Sequence, residues 1–121
     1  MLSLGPSTRI WLCTAPADMR KSFDSLAALV RDGLGQDPLS GHVFVFRNRT
    51  ADRVKLLVWE EDGYAIWYKR LEAGTFRFPE AQGAGSGVAI RYADLLMLLD
   101  GVRLESVERS RRYRRLAGAS V

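Results

Sequence analysis

Side chains able to do covalent or metal chemistry are scarce in this chain. His42 is the sole histidine and Cys13 the sole cysteine. A Cys/His zinc site needs several such ligands, and a hydrolytic triad needs a histidine placed between a nucleophile and an acid. His42 follows Gly41 at the start of an apolar run and reads as a hydrogen-bonding turn residue. Glu60, Glu61 and Asp62 cluster before Gly63 and read as a solvated acidic turn rather than a metal cradle. Gly83-Ala84-Gly85-Ser86-Gly87 has the glycines of a phosphate-binding loop but not the Gly-Lys-Ser/Thr that completes one, so it reads as a linker. No catalytic residue, no metal ligand and no cofactor is assigned, and the chain is read as a non-enzyme.

What the residue types can do is hold a polyanion. Arg47, Arg49, Arg53, Lys55, Lys69 and Arg70 fall close together in sequence, interleaved with Trp59, Tyr64, Ile66 and Tyr68. Cationic side chains neutralise phosphates, and flat rings offer stacking surfaces to bases. Two other readings stand beside this one. The arginines can pair with Asp52, Glu60, Glu61 or Glu72, leaving a solvated face. Alternatively, Trp59, Tyr64 and Ile66, with Tyr68, can form an apolar patch for a protein partner. Arg20 and Lys21 add a second cationic site. The spacing of Met19, Phe23, Leu26, Leu29 and Val30 predicts a helix from an Asp18 N-cap to Gly33. That would put both cations in the first turn, against the helix dipole, where an anion could compensate them. Pairing with Asp18 and Asp24 is the plain alternative.

The elements that must position these residues are legible in outline. Arg9–Cys13, Val43–Phe46, Arg53–Trp59 and Tyr64–Arg70 read as strands, with Asp62-Gly63 marking a hairpin between the last two. Thr75–Pro79 could add a short edge strand, since proline is tolerated at a strand end or edge. Glu80–Gly87 reads as a loop, and Tyr92–Asp100 reads as a second, very apolar helix stopped by Gly101. The expected architecture is α+β, a mostly antiparallel sheet of about four to five strands with two main helices covering one face. Alternation places Val54, Leu56, Val58, Ala65 and Trp67 on a core face, and Phe44 and Phe46 join it if the first hairpin pairs Arg49 with Arg53. The same register gathers Arg47, Arg49, Arg53, Lys55, Tyr68 and Arg70 on the other face. Lys69 falls opposite Arg70.

The 121 residues suit one domain, expected over residues 1–104 with a basic tail at 105–121. The net charge of +4 is unevenly spread. Residues 1–108 carry thirteen basic and fourteen acidic side chains, so the excess belongs to Arg109, Arg111, Arg112, Arg114 and Arg115. Such an arm suits a polyanion, and it equally suits a solvated terminus. One cysteine allows no intrachain disulfide, and neither a signal peptide nor a membrane span is read in the chain, so the expected location is the cytoplasm.

Several successive motifs resemble one family. Asp18-Met19-Arg20-Lys21-Ser22-Phe23 is followed by Asp37-Pro38-Leu39-Ser40-Gly41 and by Val43 to Arg49. Lys55-Leu56-Leu57-Val58-Trp59, Asp62-Gly63 and Trp67-Tyr68-Lys69-Arg70-Leu71-Glu72 come after them, with Gly74 and Phe76. Together, from about Arg9 to Gly101, they resemble the small TnpB-like accessory protein of insertion sequence sixty-six transposons. Ser22 stands where that family usually has glycine, Thr50-Ala51 replaces a more basic stretch, and Phe78 stands before Pro79 where tryptophan is common. The resemblance implies a role in DNA transposition beside a separate transposase that carries the catalysis, and it supplies no catalytic residues. Expected partners are DNA and that transposase, with self-association possible and no membrane. The rival expectation is a module that docks on the transposase without touching DNA.

Overall fold

A computed structural model describes residues 4–79 and 87–100 of the chain. The elements run β1 (Ile10–Cys13), α1 (Phe23–Ala28, continued by a π-helical turn over Leu29–Gly33), β2 (Val43–Arg47), β3 (Arg53–Trp59), β4 (Tyr64–Arg70), β5 (Gly87–Ile90) and α2 (Tyr92–Leu99). The five strands form one sheet in the order β4-β3-β2-β1-β5. β1 and β2 pair in parallel, and the other neighbours are antiparallel. The α+β class, the mostly antiparallel sheet and the two helices are as expected.

The helices, however, cover opposite faces rather than one. Leu26, Ala27 and Val30 of α1 and its continuation pack with Phe44, Phe46 and Leu57. Leu95 and Leu98 of α2 pack on the other side with Ile10, Leu12, Val43, Val45, Val54, Leu56 and Val58. The middle strands are therefore buried on both faces. This accounts for unbroken apolar runs such as Val43–Phe46, because a strand covered on both sides has no face left for polar residues.

Three expectations about elements need correction. The first helix starts at Phe23 with Ser22 as N-cap, not at Asp18. Lys55 Nζ donates to the carbonyls of Met19 (2.8 Å) and Lys21 (2.7 Å). These are oxygens that a helix begun at Asp18 would give to the N–H groups of residues 23 and 25. Thr75–Pro79 is not a strand; Phe76 instead buries its ring in the α2-side core. The fifth strand is Gly87–Ile90, beginning at the last residue of the expected loop.

The first hairpin is in register one residue away from the Arg49–Arg53 pairing. Phe44 pairs with Leu57, Phe46 with Lys55, and Arg47 with Val54. The loop is closed by Asn48 Nδ2 donating to Asp52 Oδ1 at 2.6 Å and by the Arg53 N–H donating to Asn48 Oδ1 at 3.0 Å. Ala51 sits in the left-handed region at φ 56°. The second hairpin has the register that alternation predicts, with Lys55 opposite Tyr68 and Leu56 opposite Trp67.

Candidate nucleic-acid interface

The slip in the first hairpin divides the expected cationic face. Arg47 pairs with Val54 and so lies on the α2 side, whereas Lys55 lies on the α1 side. The six-residue platform is not formed. Arg47 is half-buried, with Nη2 donating to the Thr14 carbonyl at 2.5 Å, Nη1 donating to the Asn48 carbonyl at 3.3 Å, and its guanidinium 5.7 Å from the Phe78 ring centre. It braces the β1 end and the segment after β4 and presents no free cation to a ligand. Arg49 is exposed on the β2–β3 loop, on neither face. Lys69 is exposed on the α2 side, opposite Val54.

Lys55 is buried, at 8% exposure, which removes it from the phosphate-contacting set. Besides its two carbonyl partners, its ammonium lies 4.8 Å from the Tyr68 ring centre, on whose face the ring's negative charge is concentrated. Its work is to hold the Asp18–Lys21 segment against β3.

That segment is a turn. Lys21 N–H donates to the Asp18 carbonyl (3.0 Å), and Arg20 N–H donates to Asp18 Oδ1 (2.9 Å). The Arg20 guanidinium also grips the Asp18 carboxylate, with Nη2 2.7 Å from Oδ2, while its side chain stays 92% exposed. Neither Arg20 nor Lys21 is in a helical turn, so the dipole conflict expected for them does not arise. The hydrogen bonds from Arg20 pull the Asp18 pKa down to about 2. Because the folded value is the lowered one, the stabilisation Asp18 gives this turn is present above the ordinary aspartate pKa and is lost as pH falls through about 2. A side-chain carboxyl NMR titration of Asp18 is expected to show its midpoint near 2, and a midpoint near the ordinary 3.8 would mean the Arg20 fork is not kept in solution.

What remains together on the α1 side is Arg53, Tyr68 and Arg70, with Lys21 nearby through the Lys55 clamp. Arg53 and Arg70 are direct cross-strand partners. Arg53 Nη1 donates to Tyr68 Oη at 3.1 Å, and Tyr68 is 46% exposed. Arg70 Nη2 lies 2.9 Å from Glu72 Oε1, which keeps the guanidinium charged and partly neutralised. Arg53, Tyr68, Arg70 and Glu72 line an open groove of about 410 Å³.

The aromatic patch is also smaller than expected. Tyr64 and Ile66 are half-buried against the α1 cluster, and burial raises the Tyr64 phenol pKa. Trp59 packs edge-on against Tyr64 with ring centres 5.1 Å apart. Trp67, expected in the core, is 40% exposed because β4 is an edge strand. Sequence reasoning overlooked Leu39, which is 52% exposed and shares a groove with Gly41, Val58 and Trp59. Its place between Pro38 and Ser40 in a turn was the available signal. His42 is the hydrogen-bonding residue expected, its Nδ1 accepting the Arg9 N–H at 3.0 Å.

Arg109, Arg111 and Arg112 lie outside the described residues, as do Gly83 to Ser86. No helix among the described residues is long and apolar enough to cross a membrane.

A family model described as IS66 Orf2 like protein matches residues 8–109. Uncharacterized protein y4hO of Sinorhizobium fredii is 39% identical over 102 residues, covering 84% of this chain and 87% of that protein. Uncharacterized protein y4jC of the same organism is 35% identical over 105 residues, covering 84% of this chain and 90% of that protein. No solved structure matches the chain.

Proposed function

The chain belongs to the IS66 Orf2-like family, and from that membership we propose that it is a non-catalytic accessory factor of DNA transposition that grips DNA phosphates and helps to assemble the separate transposase on that DNA. The phosphate contacts are assigned to Lys21, Arg53 and Arg70 around the Tyr68 ring, with Arg20, Arg49 and the arginines at 109, 111 and 112 adding further charge. The observation that carries this reading is the Arg53–Tyr68–Arg70 groove. Two guanidinium groups from neighbouring strands flank one exposed aromatic ring, and the buried ammonium of Lys55 lies behind that ring. Guanidinium groups match phosphate oxygens in geometry, and an exposed ring can stack a base.

The test is fluorescence anisotropy of labelled duplex DNA titrated with the full chain at several salt concentrations. Replacing Lys21, Arg53 and Arg70 together by alanine is expected to weaken binding to all sequences alike. Phosphate contacts position a protein without specifying sequence, so the slope of log affinity against log salt should fall by about 0.9 for each phosphate released. If this variant binds like the parent, while alanine at Arg109, Arg111 and Arg112 abolishes binding, the body is not the DNA-binding surface.

A second reading rests on the groove of about 500 Å³ that contains Leu39 and Trp59 beside the acidic turn at Glu60 and Glu61. An exposed leucine next to an aromatic ring suits a protein segment better than a phosphate chain, and it makes this the place for the transposase to dock. Leu39→Asp should then reduce co-purification with the transposase and leave DNA affinity unchanged.

A further inference from the structure

The outer edge of β4 has no strand beside it among the described residues. The ladder phase shows which of its backbone groups are unpaired toward that side. Glu60 N–H donates to the Gly63 carbonyl at one end, and Leu71 N–H donates to the Asp52 carbonyl at the other. Hydrogen-bonded pairs alternate along an antiparallel ladder. Ala65, Trp67 and Lys69 therefore bond to β3, while Tyr64, Ile66, Tyr68 and Arg70 direct their N–H and C=O groups outward. A seven-residue edge with free outward groups and exposed aromatic side chains is a template for another strand.

The charge along this edge is polarised. The turn before β4 carries the exposed acids Glu60, Glu61 and Asp62, and the far end carries the exposed cations Lys69 and Arg70, with Glu72 just beyond the strand 2.9 Å from Arg70 and leaving that end net positive. A strand that is negative at one end and positive at the other is complementary to itself when laid antiparallel. From this we infer that the partner of β4 is β4 of a second copy, paired across a twofold axis at Ile66 to make one continuous sheet. A twofold contact uses the same patch on both subunits, so each favourable pair occurs twice. In this register Arg70 faces the partner subunit's Asp62, Tyr68 faces the partner subunit's Tyr64, and Trp67 lies over the partner subunit's Ala65. Between residues 62 and 70 no like charges are opposed, and just beyond them Glu72 comes opposite the partner subunit's Glu60.

The experiment is sedimentation equilibrium of the full chain at micromolar concentration, with far-UV circular dichroism recorded on every variant. The expected mass is twice the 13.6 kDa of the chain. Tyr68→Pro removes one outward N–H and no β3 bond, a position at which an edge strand tolerates proline. It is expected to give a folded monomer. Arg70→Glu should weaken the dimer about tenfold, since opposed like charges now occur twice, and adding Asp62→Arg should restore it. A wild-type chain that stays monomeric at about 100 μM, where even a weak micromolar pairing would be populated, a Tyr68→Pro variant that stays dimeric, or a double charge reversal that fails to restore pairing would each overturn the inference.

Discussion

Leu56→Ala and Leu57→Ala are each expected to destabilise the chain by about 3–5 kcal/mol, with the equilibrium denaturation midpoint falling accordingly. The two leucines are neighbours in β3, so their side chains point to opposite faces of the sheet. Leu56 is buried in the α2-side cluster and Leu57 in the α1-side cluster, both at 0% exposure. Removing the side chain of either leaves a cavity in a packed layer. A sheet covered on one face only would give one large loss and one small one, because an exposed substitution usually changes stability by no more than about 0.5 kcal/mol. Two large, comparable losses are therefore the signature of the sandwiched sheet. Trp67→Ala is expected to cost less than either, since the indole sits at the edge and is 40% exposed. An unchanged midpoint for Leu57→Ala would put α1 elsewhere.

The second hairpin was legible and the first was not, for physical reasons that differ. Between Trp59 and Tyr64 a short turn with Asp62-Gly63 leaves little freedom, and the alternation Arg53-Val54-Lys55-Leu56 sets the phase. Between Arg47 and Arg53 the register depends on Ala51 adopting φ 56° and on the Asn48–Asp52 hydrogen bond. A non-glycine residue in the left-handed region is uncommon, and nothing about an alanine announces it. Val43–Phe46 did carry a signal that alternation reasoning passed over. A strand with four successive apolar residues is one covered on both sides. The β5 segment was hidden by its brevity and by a preceding stretch rich in glycine and alanine, which are weak strand formers. The consequence for the site is direct. One residue of slip moved Arg47 to the far side, and the helix start moved Arg20 and Lys21 into a turn, so the candidate interface shrank to the Arg53–Tyr68–Arg70 groove and its neighbour Lys21.

Lys55→Met is expected to lower stability by about 2–4 kcal/mol, although it exchanges a charged residue for an apolar one of similar length. Burying methionine in place of an ammonium would ordinarily be neutral or favourable if the charge had no partners. Here Nζ donates to the carbonyls of Met19 and Lys21 and lies over the Tyr68 ring. Removing the donor strands two partly buried carbonyl oxygens, and hydrogen bonds from charged groups are worth about 1.5–3 kcal/mol each before relaxation returns some of that loss. The turn that carries Arg20 and Lys21 loses its tether to β3 at the same time. Amide exchange should then accelerate over residues 18–22 well before the sheet is affected, because a local opening needs less free energy than global unfolding. Lys55→Arg tests the geometry rather than the charge, since a planar fork cannot place one point donor between two carbonyls as the ammonium does. It should recover part of the stability and little of the protection in the turn. Were Lys55 only a solvent-facing phosphate contact, Lys55→Met would leave both the denaturation midpoint and exchange over residues 18–22 unchanged and would weaken only DNA binding.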